Sequence, residues 1–135
     1  MSKVLLDTNV LVYALDADAG EKQKTARRLL REVASKGVVS TQVLQEFYVV
    51  ATRKLGVAPN LAKSVLHSLR RFETVTVTAD LIEQAADCGV VHQLSFWDAL
   101  IVVAAESAQC SELWTEDLNP GQVIRGVTVV NPFAD

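Results

Sequence analysis

The segment Ser95-Phe96-Trp97-Asp98-Ala99-Leu100-Ile101-Val102-Val103-Ala104-Ala105 is apolar on nearly every side beyond position 98. A helix with that pattern has no face to give to solvent, so it belongs in the middle of its domain. Other elements must therefore surround it, and the flanking sequence supplies them. Upstream, Lys3-Val4-Leu5-Leu6 and Val38-Val39-Ser40 are short β-rich runs, and Val75 with Val77 gives a third. Downstream, Glu112–Thr115 and Val127–Val130 add two more, separated by the turn signal Asn119-Pro120-Gly121.

Helical spacing fills the intervals. Asn9–Leu15 reads as a short helix, and residues 21–36 as a longer one with Ala26, Leu29, Leu30, Val33 and Ala34 on one face and Gly37 as its stop. A third helix carries Val43, Phe47, Val50 and Ala51, and Pro59 opens a fourth with Leu61, Val65, Leu69 and Phe72. Ala79–His92 follows, and Ser95 caps the helix that runs through Ala108. Strands alternating with helices make βαβ units, whose right-handed crossovers cover a parallel sheet on both faces. The expectation is an α/β fold, a three-layer α/β/α sandwich around a central, mostly parallel sheet of about five strands. Ligands in such sheets collect outside the carboxyl ends of the strands.

The 135 residues amount to one ordinary domain, and neither a repeat nor a linker divides them, so residues 1–135 are expected to fold as one. Half the chain is hydrophobic, enough for a real core. No stretch reaches the roughly 18 apolar residues of a membrane span, and the acid at position 7 excludes a long apolar signal segment. Cys88 and Cys110 lack metal-type spacing and read as buried thiols in a reducing compartment. The formal charge is 13 − 16 = −3, which by itself argues against an acidic partner such as nucleic acid. Where the acids sit changes that conclusion.

Asp7 ends the first strand. It is either the N-cap of the next helix, worth roughly 1 kcal/mol, or an active-site acid, since Thr8 and Asn9 are alternative caps. Glu46 lies about 60° from Val43 and 40° from Val50 around a helix, on the rim of the apolar face, where a snorkelling glutamate would also sit. Asp98 shares the angular position of Ile101, Val102 and Ala105. Ser95 and Asp98 form a capping box, yet a buried ionised carboxylate costs several kcal/mol without a positive partner. Asp117 follows the fourth strand, where a turn Asp is commonplace, and Glu116 beside it should point elsewhere. Together these residues put an acid at the end of two strands and near the start of two buried helices, all on one rim. Like charges so gathered call for a divalent cation. With only oxygen donors at hand, that cation is Mg²⁺ or Mn²⁺ and not Zn²⁺, and metal-assisted phosphoryl chemistry is its natural use.

At this point the sequence resembles the PIN-domain family, and within it the short ribonuclease toxins of VapBC-type toxin–antitoxin pairs. The resemblance spans essentially the whole chain. It rests on Asp7-Thr8-Asn9, on Glu46 within Ser40–Phe47, on Ser95-Phe96-Trp97-Asp98-Ala99-Leu100-Ile101, and on Thr115-Glu116-Asp117-Leu118 followed by Val129–Phe133. It implies an Mg²⁺- or Mn²⁺-dependent endoribonuclease, with Asp7, Glu46, Asp98 and Asp117 as catalytic residues and metal ligands and Asn9 and Thr115 as accessory polar groups. Water would attack phosphorus in line, leaving 5′-phosphate and 3′-hydroxyl ends. The resemblance also implies an RNA substrate, a cognate antitoxin protein, a homodimer and a cytoplasmic, membrane-free setting.

Without its four site acids the chain carries 13 − 12 = +1. Lys24, Arg27, Arg28 and Arg31 form one basic stripe, and Lys63, His67, Arg70 and Arg71 another. Each is first a solvated face, although one flanking the acids would grip RNA phosphates. Rival readings fare worse. An aspartyl-phosphate hydrolase wants a second acid where Asn9 stands, and a phospho-acceptor receiver wants an acidic pair ahead of the first strand. The alternatives are a catalytically silent module of the same fold, binding RNA or protein, and the aspartyl-phosphate phosphohydrolase.

Overall fold

The computed structural model describes residues 2–134. The chain runs β1 (Lys3–Leu6), α1 (Thr8–Leu15), α2 (Glu21–Glu32), β2 (Gly37–Ser40), α3 (Thr41–Arg53), α4 (Pro59–Ser68), β3 (Glu73–Val75), α5 (Ala79–His92), α6 (Phe96–Ser107), β4 (Cys110–Trp114), β5 (Val123–Ile124) and β6 (Val127–Val130). The six strands lie in the order β3-β2-β1-β4-β6-β5. All neighbours are parallel except the β5–β6 pair. This is the expected α/β sandwich. Right-handed crossovers put α1–α4 on one face and α5–α6 on the other. The packing agrees: α1 rests on α2 and α3, α5 on α6, and α6 against β2, β4 and β6.

The central strands are apolar on both faces because both faces are covered. Val4, Leu5 and Leu6 of β1 and all of β2 are buried. Ala99 through Ala105 of α6 are buried without a break, as the all-round apolar pattern requires. Gly89 lets α5 pack closely against the turn into α6: a Cβ there would stand 3.1 Å from the Leu94 carbonyl oxygen and 3.7 Å from the Ala99 methyl. Cys88 and Cys110 are buried free thiols. Among the described residues no single helix is long and apolar enough to cross a membrane.

Several boundaries differ from the sequence reading, each for a local reason. The second helix ends at Glu32, not 36, because the Lys36 and Gly37 amides both bond the Val33 carbonyl and turn the chain into β2. Gly37 is thus the first residue of β2 and not a helix stop. The third strand is Glu73–Val75: its register pairs Glu73, Thr74 and Val75 with Val38, Val39 and Ser40. The Val77 amide instead donates to the Thr41 hydroxyl. α4 stops at Ser68 and a 3₁₀ turn, Leu69–Arg71, carries Leu69 and delivers Phe72 into the core. Leu61, read as part of the apolar face of α4, points to solvent. The sixth strand, β5, is two residues long and was invisible to periodicity.

Candidate active site

The strand order reverses between β1 and β4, the place where an α/β sheet opens a crevice. A cleft of about 520 Å³ lies there, lined by Asp7, Asn9, Glu46, Asp98 and Asp117 together with Val49, Val50, Trp97 and Ile101. β1 delivers Asp7, α3 delivers Glu46, the first turn of α6 delivers Asp98, and the chain beyond β4 delivers Asp117. The four acids singled out in the sequence therefore face one cavity.

Asp7 is the most constrained. It is 5% exposed and stands at the N-cap of α1, so the cap reading holds, and the same residue lines the cleft. Its Oδ1 accepts from the Thr8 amide at 2.7 Å and its Oδ2 from the Thr115 hydroxyl at 2.6 Å. Burial pushes its carboxyl up to about 6, against the pull of the Thr115 hydroxyl and the Thr8 amide, with Asp117 and Glu46 pushing further. The Thr115 hydroxyl also accepts from the Asp117 amide at 3.0 Å, tying the two acids through one oxygen. Burial and then the charges of Asp98 and Glu116 raise the Asp117 carboxyl. The Thr8 hydroxyl donates to Glu46 Oε1 at 2.8 Å.

Asp98 differs from its sequence reading. The Ser95 hydroxyl accepts from its amide at 3.1 Å, completing the forward half of the capping box. The side chain is only half-buried, however, because α6 enters the core from Ala99 onward while its first turn forms the rim of the cleft. No full desolvation cost falls on it. Asn9 lines the cleft as expected. Glu116 does point away: it accepts from the Tyr13 hydroxyl at 2.5 Å and from Lys22 Nζ at 2.7 Å. Burial alone would raise its carboxyl, but the Lys22 ammonium and the Tyr13 hydroxyl outweigh burial and hold it low. The Tyr13 ring in turn packs edge-on against Phe133 at 5.1 Å. This network clamps the segment that presents Asp117 against α1 and α2.

Neither basic stripe borders the cleft, and no lysine or arginine lines it among the described residues. Arg27 bonds the Ala14 carbonyl, and Arg28 pairs with Glu32 along α2. These stripes are the solvated faces they first suggested.

Sequence reasoning missed Thr8, Gln42 and Trp97. Gln42 was legible in principle, since it precedes Glu46 by four residues and so shares its face of α3. It is 4% exposed, its Nε2 donates to the Trp97 carbonyl at 3.3 Å, and its Oε1 has no partner among the described residues.

The donor set suits a hard divalent ion, with four carboxylates and no imidazole or thiol lining the cleft among the described residues. No three acidic, His or Cys side chains among the described residues form a ready-made cage. An ion such as Mg²⁺, which keeps several waters and takes one or two carboxylates, does not require such a cage.

Among curated proteins none matches the chain. Solved structures do. One is VapC20 of Mycobacterium tuberculosis, described as a sarcin–ricin loop cleaving toxin, with a TM-score of 0.71 at 23% identity over 85% of this chain and 90% of that one. Another is a toxin–antitoxin complex from Klebsiella pneumoniae, with a TM-score of 0.73 at 23% identity over 97% and 98%. A third is a DNA-bound VapBC from Salmonella typhimurium, with a TM-score of 0.70 at 19% identity over 96% and 97%. At such identities the likeness establishes the fold. The PIN-domain family model matches residues 4–123, which hold every helix and the strands β1 to β4. The chain belongs to the PIN-domain family.

Proposed function

We propose that the chain is an endoribonuclease dependent on Mg²⁺ or Mn²⁺, acting as the toxin of a toxin–antitoxin pair on single-stranded or structured RNA. The observation that carries this reading is the convergence of Asp7, Glu46, Asp98 and Asp117 on one cleft at the carboxyl ends of β1 and β4. Family membership and the likeness to a sarcin–ricin loop cleaving toxin support it.

Asp7, Glu46, Asp98 and Asp117 would hold the ion. When bound, it would supply Lewis acidity toward the phosphodiester and offset charge that the carboxylates cannot share alone. The rest falls to the protein. Thr115 and the Thr8 amide fix both oxygens of Asp7, and the Thr8 hydroxyl fixes one oxygen of Glu46. These bonds lock side chains whose placement to within ~0.5 Å decides activity. Asn9 is an accessory group that would orient a carboxylate or a water. A water attacking phosphorus opposite the departing 3′ oxygen would leave a 5′-phosphate and a 3′-hydroxyl. The same acidic cleft offers an antitoxin a docking point for a basic side chain, in competition with the metal. A homodimer, a cytoplasmic setting and residues 1–135 as one functional domain belong to this reading.

The test is cleavage of short single-stranded RNA titrated with Mg²⁺ or Mn²⁺, wild type against Asp98→Asn. The substitution keeps the volume and the Ser95 cap, so folding is preserved, and cleavage should fall at least ~100-fold, as for loss of one major electrostatic element. Near wild-type cleavage by folded Asp98→Asn protein would sink the four-carboxylate mechanism. Absence of RNA cleavage by the wild type with either metal would favour the silent binding module.

A further inference from the structure

Trp97 is a large aromatic side chain that stands outside the core. It is 62% exposed, yet it lines the cleft beside the carboxylate cluster. It is also held in place. Its ring packs edge-to-face on Phe96, with centroids 5.1 Å apart, and the Gln42 amide grips its backbone carbonyl. Val49, Val50 and Ile101 continue the apolar wall. A flat, exposed aromatic ring, braced on one side and standing beside the carboxylates, has the form of a stacking platform.

We infer that Trp97 stacks on a base of the RNA strand whose phosphodiester lies at the carboxylates, and so supplies substrate affinity within the cleft. The inference rests on the nuclease reading and deepens it. Two observations argue for a nucleobase as the occupant. The wall is continuous with the acidic cluster, and a nucleotide carries its base one sugar away from its phosphate. The cleft also lacks lysine and arginine among the described residues, so no basic side chain inside it pairs with the phosphates. Base–aromatic stacking carries about 1–3 kcal/mol per base without needing a cation. The Oε1 of Gln42, a residue of the same lining, is buried and unpartnered, an acceptor that a small side-chain shift would bring to an N–H of the base or a sugar hydroxyl.

Trp97 would then be a substrate-binding residue with no part in bond breaking, and kinetics separate the two roles. The experiment compares wild type, Trp97→Phe and Trp97→Ala with Mg²⁺ on an RNA hexamer and on hexamers made abasic at each position in turn. Trp97→Ala should raise KM about 5- to 150-fold, the range given by ~1–3 kcal/mol of stacking, with kcat within about twofold. Trp97→Phe should stay close to wild type. One abasic position should reproduce the loss, and Trp97→Ala should then add nothing to it. The dependence of binding on salt should be the same in both proteins, because no phosphate contact is removed. A second readout needs no turnover: the hexamer should quench the tryptophan fluorescence of Asp98→Asn protein. That quench should vanish when Trp97→Phe is added and only Trp114 remains.

An unchanged KM in Trp97→Ala, with wild-type cleavage intact, overturns the inference and leaves the nuclease reading standing. A drop in kcat at constant KM also overturns it, because Trp97 would then be structural. Loss of affinity for a protein inhibitor with none for RNA overturns it in favour of an apolar protein contact. If the wild type cleaves no RNA, the nuclease reading fails, and a quench by intact but not abasic hexamer still supports base stacking.

Discussion

Asp7 carries two jobs that oppose each other, and the conflict is measurable. As the N-cap of α1 it steadies a helix; as a nearly buried acid among other acids it resists ionising. In the unfolded chain its carboxyl titrates near 3.8, and in the fold near 6. Between those values the folded state keeps a proton that the unfolded state has lost. The contribution of Asp7 to stability is therefore fully present below 3.8 and disappears as pH rises through about 6. A shift of that size corresponds to roughly 3 kcal/mol at most. Asp7→Asn keeps the volume and an acceptor for the Thr8 amide while removing the charge. In chelator at pH 7.5 the variant should be more stable than wild type by up to about 3 kcal/mol, and near pH 4 the gain should vanish. Urea denaturation at the two pH values reads this directly. Lower stability for Asp7→Asn at pH 7.5 would mean that the hydrogen bonds from Thr8 and Thr115 outweigh the cost of burying the charge.

Among the elements, β2 shows why the chain needs a glycine that no turn demands. A Cβ on Gly37 would stand 2.9 Å from Phe72 Cδ1 and 3.1 Å from the Val33 carbonyl oxygen. Phe72 is 2% exposed, so its ring cannot swing away. Gly37→Ala should cost about 1–3 kcal/mol through overpacking. Adding Phe72→Leu should return part of that cost in a double-mutant cycle, whereas strict additivity would place the strain elsewhere. The same contact explains a limit of the sequence. Gly37 after a helical stretch is indistinguishable from a helix stop until Phe72, 35 positions away, is seen against it. Local pattern was enough for β1, β2 and α6, whose burial is written in unbroken apolar runs. It failed for β3, because strand pairing with β2 chooses Glu73–Val75 over the more apolar Val75–Val77. The candidate site divides likewise. Its acids were legible because charge amid apolar residues is anomalous. Thr8, Gln42 and Trp97 were not, because a hydroxyl, an amide or an aromatic becomes significant only through what it faces.

At the scale of the whole molecule the acids are unevenly spent. Outside Asp7, Glu46, Asp98 and Asp117 the chain carries 13 − 12 = +1, so the net charge of −3 is owed to the cleft. In the absence of a cation the folded protein stores that repulsion, and the unfolded chain releases it. An ion that binds only the folded state stabilises it by RT ln(1 + [L]/Kd), about 2.7 kcal/mol at a hundredfold excess over Kd. Four melting curves decide whether the cleft is such a site: wild type and Asp7→Asn, each in chelator and in Mg²⁺ or Mn²⁺. Wild type should start lower and gain strongly with metal, and Asp7→Asn should start higher and gain much less. The metal effect should fade as pH falls, since protons and the cation compete for the same oxygens. Equal metal responses in the two proteins would exclude Asp7 as a ligand. A rise that persists at low pH would place the binding outside the carboxylates altogether.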